Sequence, residues 1–473
     1  MIRSFNKRYN WSLLPAIIIL AWPTMLEQLL QTAVQYIDTA MVGAIGDYAT
    51  AAVGSTTTVN WLVNSTIQAI GIGFLACIAQ AHGASDKKFV KRASAQAVLA
   101  VLITGVVFTA ITLLLSPYVP VWMQVDKSIS TLAAQYFFII YAPMLPRAAT
   151  MIFGAILRAV GDTKTPMLVG LIVNVLNVLL NFFLIFETRE YTVFSHSFTV
   201  YGAGLGVIGA AIASAIAFTV GGILITIALW RHKDLSPRGY SIKPDFHVLR
   251  PCMRIAFPNM LQRFGTCLGY VAFASMINSL GDVSTAAHTI ANTVESAFYI
   301  PGYGMQAAAS TLTGNALGAK DGKRMKELAR LLMLIEVALM IISGTLLFIF
   351  APQMAGIFSD SPEVIALAAT VLQMVAVSEP IFGAALIIEG LLHGVGKTAA
   401  PFVFNIIGMW GIRIVGTFIC TQLFSLGLIS AWACMIGHNL LLFIMFLAYY
   451  LSGKWNPLNN FKISVNAQGE TNA

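Results

Sequence analysis

Asp38 carries the sharpest chemistry in this 473-residue chain, because of what recurs around it at helical spacing. Thr24, Glu27, Gln28, Gln31, Gln35 and Asp38 fall within about 100° of arc when wound as a helix. Leu26, Leu29, Leu30, Ala33, Ile37 and Ala40 take the other side. A polar stripe ending in a carboxylate cannot turn toward lipid, so it must face a bundle interior or a water-filled cavity. A charge at mid-bilayer costs on the order of 2.5–3.5 kcal/mol on insertion scales, and a bound proton or small cation removes that cost. Asn177 and Asn181, one helical turn apart, and Ser214 come out at a similar depth in later apolar stretches. These four side chains could hydrogen-bond one another or offer oxygens to a cation. The plainer alternative is a polar network that holds helices together.

Further polar faces follow the same rule. Thr57, Asn60, Asn64 and Gln68 share one face of the next apolar stretch. The pattern returns 235 residues later with altered chemistry: Pro23–Asp86 lies on Pro258–Asp321 without a gap, fifteen of 64 positions being identical. The first stripe becomes Asn259, Gln262, Arg263, Thr266, Tyr270 and Phe273, and the second becomes Asn292, Glu295, Tyr299 and Tyr303. One wall is thus carboxylate and amide, the other more aromatic and suited to flat cations. Gln31, Gln35, Asn60, Asn64, Gln262, Tyr270, Glu295 and Tyr299 are the candidate lining of a shared cavity. Similar depth predicts ion pairs between Arg263 and Glu295 and between Glu379 and Arg413.

The elements that position these residues are membrane spans. The chain is 58% hydrophobic and 10% charged, with a mean hydropathy of +0.78, which excludes an ordinary soluble domain. Apolar runs predict about twelve helices, near 13–42, 48–81, 93–116, 128–157, 166–187 and 204–231, then 252–278, 283–317, 328–351, 361–393, 399–421 and 426–452. Pro23, Pro143 with Pro146, Pro258 and Pro380 are expected bends. The basic start (Arg3, Lys7, Arg8) resembles a signal peptide, but Glu27, Gln28 and Gln31 make it an uncleaved first span. Residues 187–203 have no counterpart in the second copy and read as an insertion of about fourteen residues in one loop.

The net charge of +8 is a matter of placement and needs no nucleic acid. Arg3, Lys7 and Arg8, then Lys87, Lys88, Lys91 and Arg92, the stretch 231–250, Lys320 to Arg330, and Lys454 with Lys462 occupy one set of connections. The alternate set holds only Lys127 and Arg189 as basic residues and carries Asp47, Asp126, Glu187, Glu190, Asp282, Asp360 and Glu363. The positive-inside rule then puts both termini in the cytoplasm, so six spans per copy share one orientation and the repeat is parallel. The expected fold is an all-α polytopic membrane protein: a first lobe at 1–231, a cytoplasmic linker at 232–251, a second lobe at 252–453 and a tail at 454–473. The five cysteines lie in apolar segments without metal-ligand spacing. There is no HExxH, P-loop, GxSxG or CxxC, so neither an enzyme nor a direct ATP user is expected.

Several stretches, in order and spacing, resemble the multidrug and toxic compound extrusion (MATE) transporters: AWPTMLEQLLQTAVQYIDTAMVGAIGDYATAA at 21–52, ILRAVGDTKTP at 156–166, NVLNVLLNFFLIF at 174–186, GVIGAAIAS at 206–214 and GLLHGVGKTAAP at 390–401. The resemblance implies two six-helix lobes in a V and secondary antiport of amphipathic or cationic organic compounds against protons, with sodium as the alternative ion. It implies no cofactor, no obligate protein partner and a prokaryotic plasma membrane. By position, Asp38, Asn177, Asn181 and Ser214 match the family's first-lobe ion site. Where a sodium-linked subgroup has second-lobe acids this chain has Thr266 and Phe382, which places it nearer the DinF-like subgroup. The runner-up within the architecture is a lipid-linked precursor flippase or oligosaccharide exporter, which would need a groove rich in Arg and Lys.

Overall fold

The computed structural model describes residues 9–123, 125–193 and 196–459. Arg3, Lys7, Arg8, Lys462, the tail from 460 onward and the side chain of Asp47 lie outside the described residues. The first copy comprises α1 (Leu14–Gly43), α2 (Asp47–Gly83), α3 (Lys87–Leu115), α4 (Lys127–Tyr141), α5 (Met144–Ala159), α6 (Lys164–Leu184) and α7 (Gly206–Arg231). The second comprises α8 (Phe246–Asn278), α9 (Asp282–Gly318), α10 (Gly322–Gly356), α11 (Pro362–Ala376), α12 (Glu379–Gly394), α13 (Ala399–Leu423) and α14 (Leu428–Leu451). Eight of these are singly long and apolar enough to span, and the bent pairs α4–α5 (51°) and α11–α12 (53°) form one span each. The more polar α8 and α9 are the repeat counterparts of α1 and α2 and complete twelve.

Both broken spans fail at a proline: before Pro143 in the first copy and just before Pro380 in the second. Pro23 and Pro258 lie inside α1 and α8, which continue through them. The inserted loop is a β-hairpin, β1 (Glu187–Val193) paired antiparallel with β2 (His196–Ala203). Lipid-facing surface is plain on α3, where Leu102, Ile103, Val106 and Leu114 are exposed, and on α10, where Ile341, Ile342, Leu346 and Ile349 are. Within α13 the backbone widens into π-helical turns at Ile407–Ile414 and Ile419–Leu423.

The lobes are joined by reciprocal packing. The start of α1 (Ile17, Leu20, Ala21) is buried among second-lobe residues Met305, Ala308 and Leu312. The start of α8 (Val248, Cys252, Ile255) is buried in the first-lobe core with Phe74 and Ile78. Ile17 and Leu20 correspond to Cys252 and Ile255 at the repeat shift, so each copy lends the other the same turn. The repeated Gly-Ala-x-Asp has a matching cause. A Cβ on Gly83 would stand 2.0 Å from the backbone oxygen of Asn315, and one on Gly318 would stand 1.8 Å from that of Gln80. Glycine lets α2 and α9 touch backbone to backbone. Asp86 and Asp321 then cap the next helices, accepting from the backbone N of Phe89 and Arg324, each at 2.9 Å.

At that basic end α2 is sealed: Ala69–Ala79 is buried except for Ile72. Toward its acidic end one face is open, with Thr50, Gly54, Thr57, Trp61 and Gln68 exposed. The V therefore opens where α2 and α9 begin and closes where they end. The expected linker is shorter in structure than in sequence, since α8 already starts at Phe246 with Asp245 as its cap. Arg92 binds the carboxylate of Asp245, and Gln96 bonds the linker backbone at Lys243 (2.9 Å) and Asp245 (3.0 Å).

Candidate functional site

The four expected ion-site residues are brought together. On α7, Gly209 lies against the backbone of Leu184, so α6 and α7 nearly touch and Ser214 meets Asn177 at 3.0 Å. Asn181 donates from Nδ2 to Asp38 Oδ1 at 2.6 Å. With its amide turned to satisfy both neighbours, Asn177 donates to Asp38 Oδ1 at 2.8 Å and accepts from Ser214 Oγ at 3.0 Å. Asn177, Asn181 and Ser214 are buried, while Asp38 is half-buried and borders a cavity of about 660 Å³. Gln31, Gln35, Asn60 and Asn64 line the same cavity, as expected of them.

Two arginines complete the first lobe. Arg158, on the last turn of α5, meets Glu27 at 3.1 Å, so one of the two stripe carboxylates is already neutralised. Arg147, near the start of α5, borders the cavity; its Nη2 donates to Asn60 Oδ1 at 2.8 Å. Tyr141 Oη donates to the same oxygen at 2.9 Å. The guanidinium of Arg147 lies over the rings of Phe218 (4.5 Å) and Tyr141 (5.5 Å). Tyr136 lines the same cavity, within electrostatic reach of both Asp38 and Arg147. Sequence reasoning missed Arg158 as a partner, though an acid in a membrane stripe is itself a signal that a cation is due.

The second lobe departs from expectation. Neither Arg263–Glu295 nor Glu379–Arg413 is an ion pair among the described residues. Arg413 sits on a π-turn of α13, stacked over Phe273 (4.3 Å) and Tyr270 (4.7 Å), and acts on Glu295 from there. Arg263 lies instead within electrostatic reach of Tyr303 and His393. Glu379 lies within electrostatic reach of Glu295 and Glu336, the last fully buried with neither carboxylate oxygen hydrogen-bonded. Matching depth did not imply matching azimuth.

Of the second-lobe cavity candidates, Tyr270 borders a cleft of about 260 Å³ shared with Trp61 and Arg413. Gln262 is buried and donates to Glu389 at 2.7 Å, with Gln306 donating to the same carboxylate at 3.0 Å. Glu295 is buried, and Tyr299 packs edge-on against Tyr303 and Phe382; none of the three lines either cavity. The aromatic faces of Tyr270 and Phe273, expected to receive a flat cation, already hold Arg413.

Comparison with known proteins agrees with this architecture. The chain is 27% identical over 439 residues to a Thermotoga maritima protein named probable multidrug resistance protein NorM, covering 93% of this chain and 92% of that protein. It is 26% identical over 454 residues to multidrug and toxin extrusion protein 1 of Xenopus tropicalis, covering 92% of this chain and 74% of that one. A solved MOP superfamily transporter from Pyrococcus furiosus shares the fold with a TM-score of 0.84 at 21% identity, covering 94% of this chain and 96% of its own. The MatE family profile matches residues 23–183 and 258–419, one stretch in each lobe. The chain is a multi-pass membrane protein and belongs to the MatE family of transporters, not to an enzyme family.

Proposed function

We propose that the chain is a secondary active exporter of amphipathic, often cationic, compounds, driven by protons that load and leave Asp38. The observation that carries this reading is a half-buried carboxylate held by two amides at the edge of a cavity open at one end. Loading Asp38 from the open side removes the charge that holds a cationic compound and releases it there. Unloading on the other side restores the charge and permits rebinding. The names of the relatives support multidrug export. The Lys and Arg distribution supports cytoplasmic termini and an outward-facing opening, and the bacterial relatives support a prokaryotic plasma membrane.

The amide geometry favours the proton. Asn181 presents an N–H group to the carboxylate, and Asn177 does so once its amide is turned. Sodium needs oxygens there and would require the Asn181 amide to turn, whereas a proton needs one lone pair. The lack of acids at Thr266 and Phe382 agrees with coupling in the first lobe. No cofactor beyond the exchanged ion is called for. The test is efflux of a fluorescent organic cation from proteoliposomes under a pH gradient alone and under a sodium gradient alone. Transport on the pH gradient is expected; transport on sodium alone would move the site to an oxygen cage, and silence on both would sink the exporter reading.

A further inference from the structure

Among the described residues Arg147 has no carboxylate partner. It is only 6% exposed, and its Nη1 is buried without a hydrogen-bond partner. A guanidinium left in that condition in a membrane interior is costly. The carboxylates bordering the same cavity are committed elsewhere, Glu27 to Arg158 and Asp38 to Asn181. Nor does the fold require a cation here. At the repeat shift Arg147 lies on Phe382, four residues past the same kind of helix break.

The surroundings hold the guanidinium in place. Asn60 Oδ1 accepts from Arg147, from Tyr141 and, at 3.2 Å, from Asn64 Nδ2. That fixes the Asn60 amide and leaves its Nδ2 to donate beside the guanidinium. Phe218 backs the guanidinium face. We propose that Arg147 and Asn60 form a subsite for the carboxylate of an amphipathic substrate. With Asp38 on the same cavity, the first lobe then offers an anchor of each sign and selects zwitterions over plain cations. This rests on the reading that the first-lobe cavity holds the exported compound.

The test uses a rhodamine bearing a free carboxylate and its methyl ester, which differ only in the acidic group. Binding is read by fluorescence polarisation on the purified full chain and export in proteoliposomes. The wild type should bind the acid on the order of tenfold more tightly than the ester. Arg147→Gln should abolish that preference by weakening the acid alone, and Arg147→Lys, a point charge without the fork, should keep part of it. Thermal melting confirms that each variant is folded, and Arg147→Lys carries the test if the glutamine variant is not. Equal binding of acid and ester by wild type, or equal weakening of both by Arg147→Gln, overturns the subsite. So does a gain in ester binding on adding chloride that matches the acid's advantage, since the site would then serve a free anion. If the ester is exported and the acid is not preferred, the subsite falls while the exporter reading stands. If neither dye binds, both fall.

Discussion

Alanine at Gly318 is the smallest change that should force the lobes apart at their basic ends. Its Cβ would lie 1.8 Å from the backbone oxygen of Gln80 and 2.8 Å from the nitrogen of Ala84. Neither is a flexible side chain, so the gap must widen by roughly 1.5 Å to restore ordinary contact. Overpacking of this kind costs about 1–3 kcal/mol. The clash exists only while α2 and α9 are closed on each other, so the cost falls on the conformation seen here. That corresponds to about a 5- to 150-fold shift toward conformers parted at this end. Spin labels at Lys88 and Lys323, both exposed at the basic end, should report longer distances, and export should slow. Gly83→Ala should act alike through the reciprocal contact, 2.0 Å from the oxygen of Asn315. Gly54→Ala is the control, since its Cβ meets nothing within 4 Å. A folded Gly318→Ala protein with wild-type distances and full transport would refute the close-packed seam.

Two further predictions concern charges. Glu27→Gln leaves Arg158 uncompensated and should cost about 3 kcal/mol in thermal unfolding, with Glu27→Gln/Arg158→Gln recovering much of it. An unchanged melting temperature in the single variant would show that the pair is not buried enough to matter. At the linker, the hydrogen bond from Arg92 holds the Asp245 carboxyl below its ordinary range, helped by the His247 backbone N–H. A depressed folded value means the clamp is fully made above the unfolded one and is lost only as pH falls through the folded one. Tryptic cleavage at Arg238 should therefore stay slow across about pH 5 to 8 and speed up in Arg92→Gln throughout. A clamp that loosens near neutrality would contradict this.

Helical periodicity made the first-lobe site legible before any coordinates. It placed Asp38, Gln31 and Gln35 on one face of α1 and Asn177 with Asn181 on one face of α6, and those faces do converge. It failed where a face depends on more than one helix. Arg147 follows the break before Pro143, and Arg413 sits on π-turns; both features rotate a side chain away from its ideal-helix azimuth. Glu295 and Gln262 occupy inward positions by the repeat, yet both are buried, Gln262 on the carboxylate of Glu389. The hairpin's signal is the crowding of β-branched and aromatic residues at 191–201 (YTVFSHSFTVY), which the repeat comparison alone does not distinguish from an inserted loop. The repeated glycines read as turns, because a sequence does not show which backbone will approach them.

Proton exchange at Asp38 is tested most directly by proton release in weakly buffered detergent solution when the rhodamine methyl ester is added. The wild type should release protons on binding, read with a pH indicator dye, and Asp38→Asn should release none while remaining folded. An Asp38→Asn protein that releases as many protons as wild type would contradict the assignment and move the coupling site elsewhere in the chain.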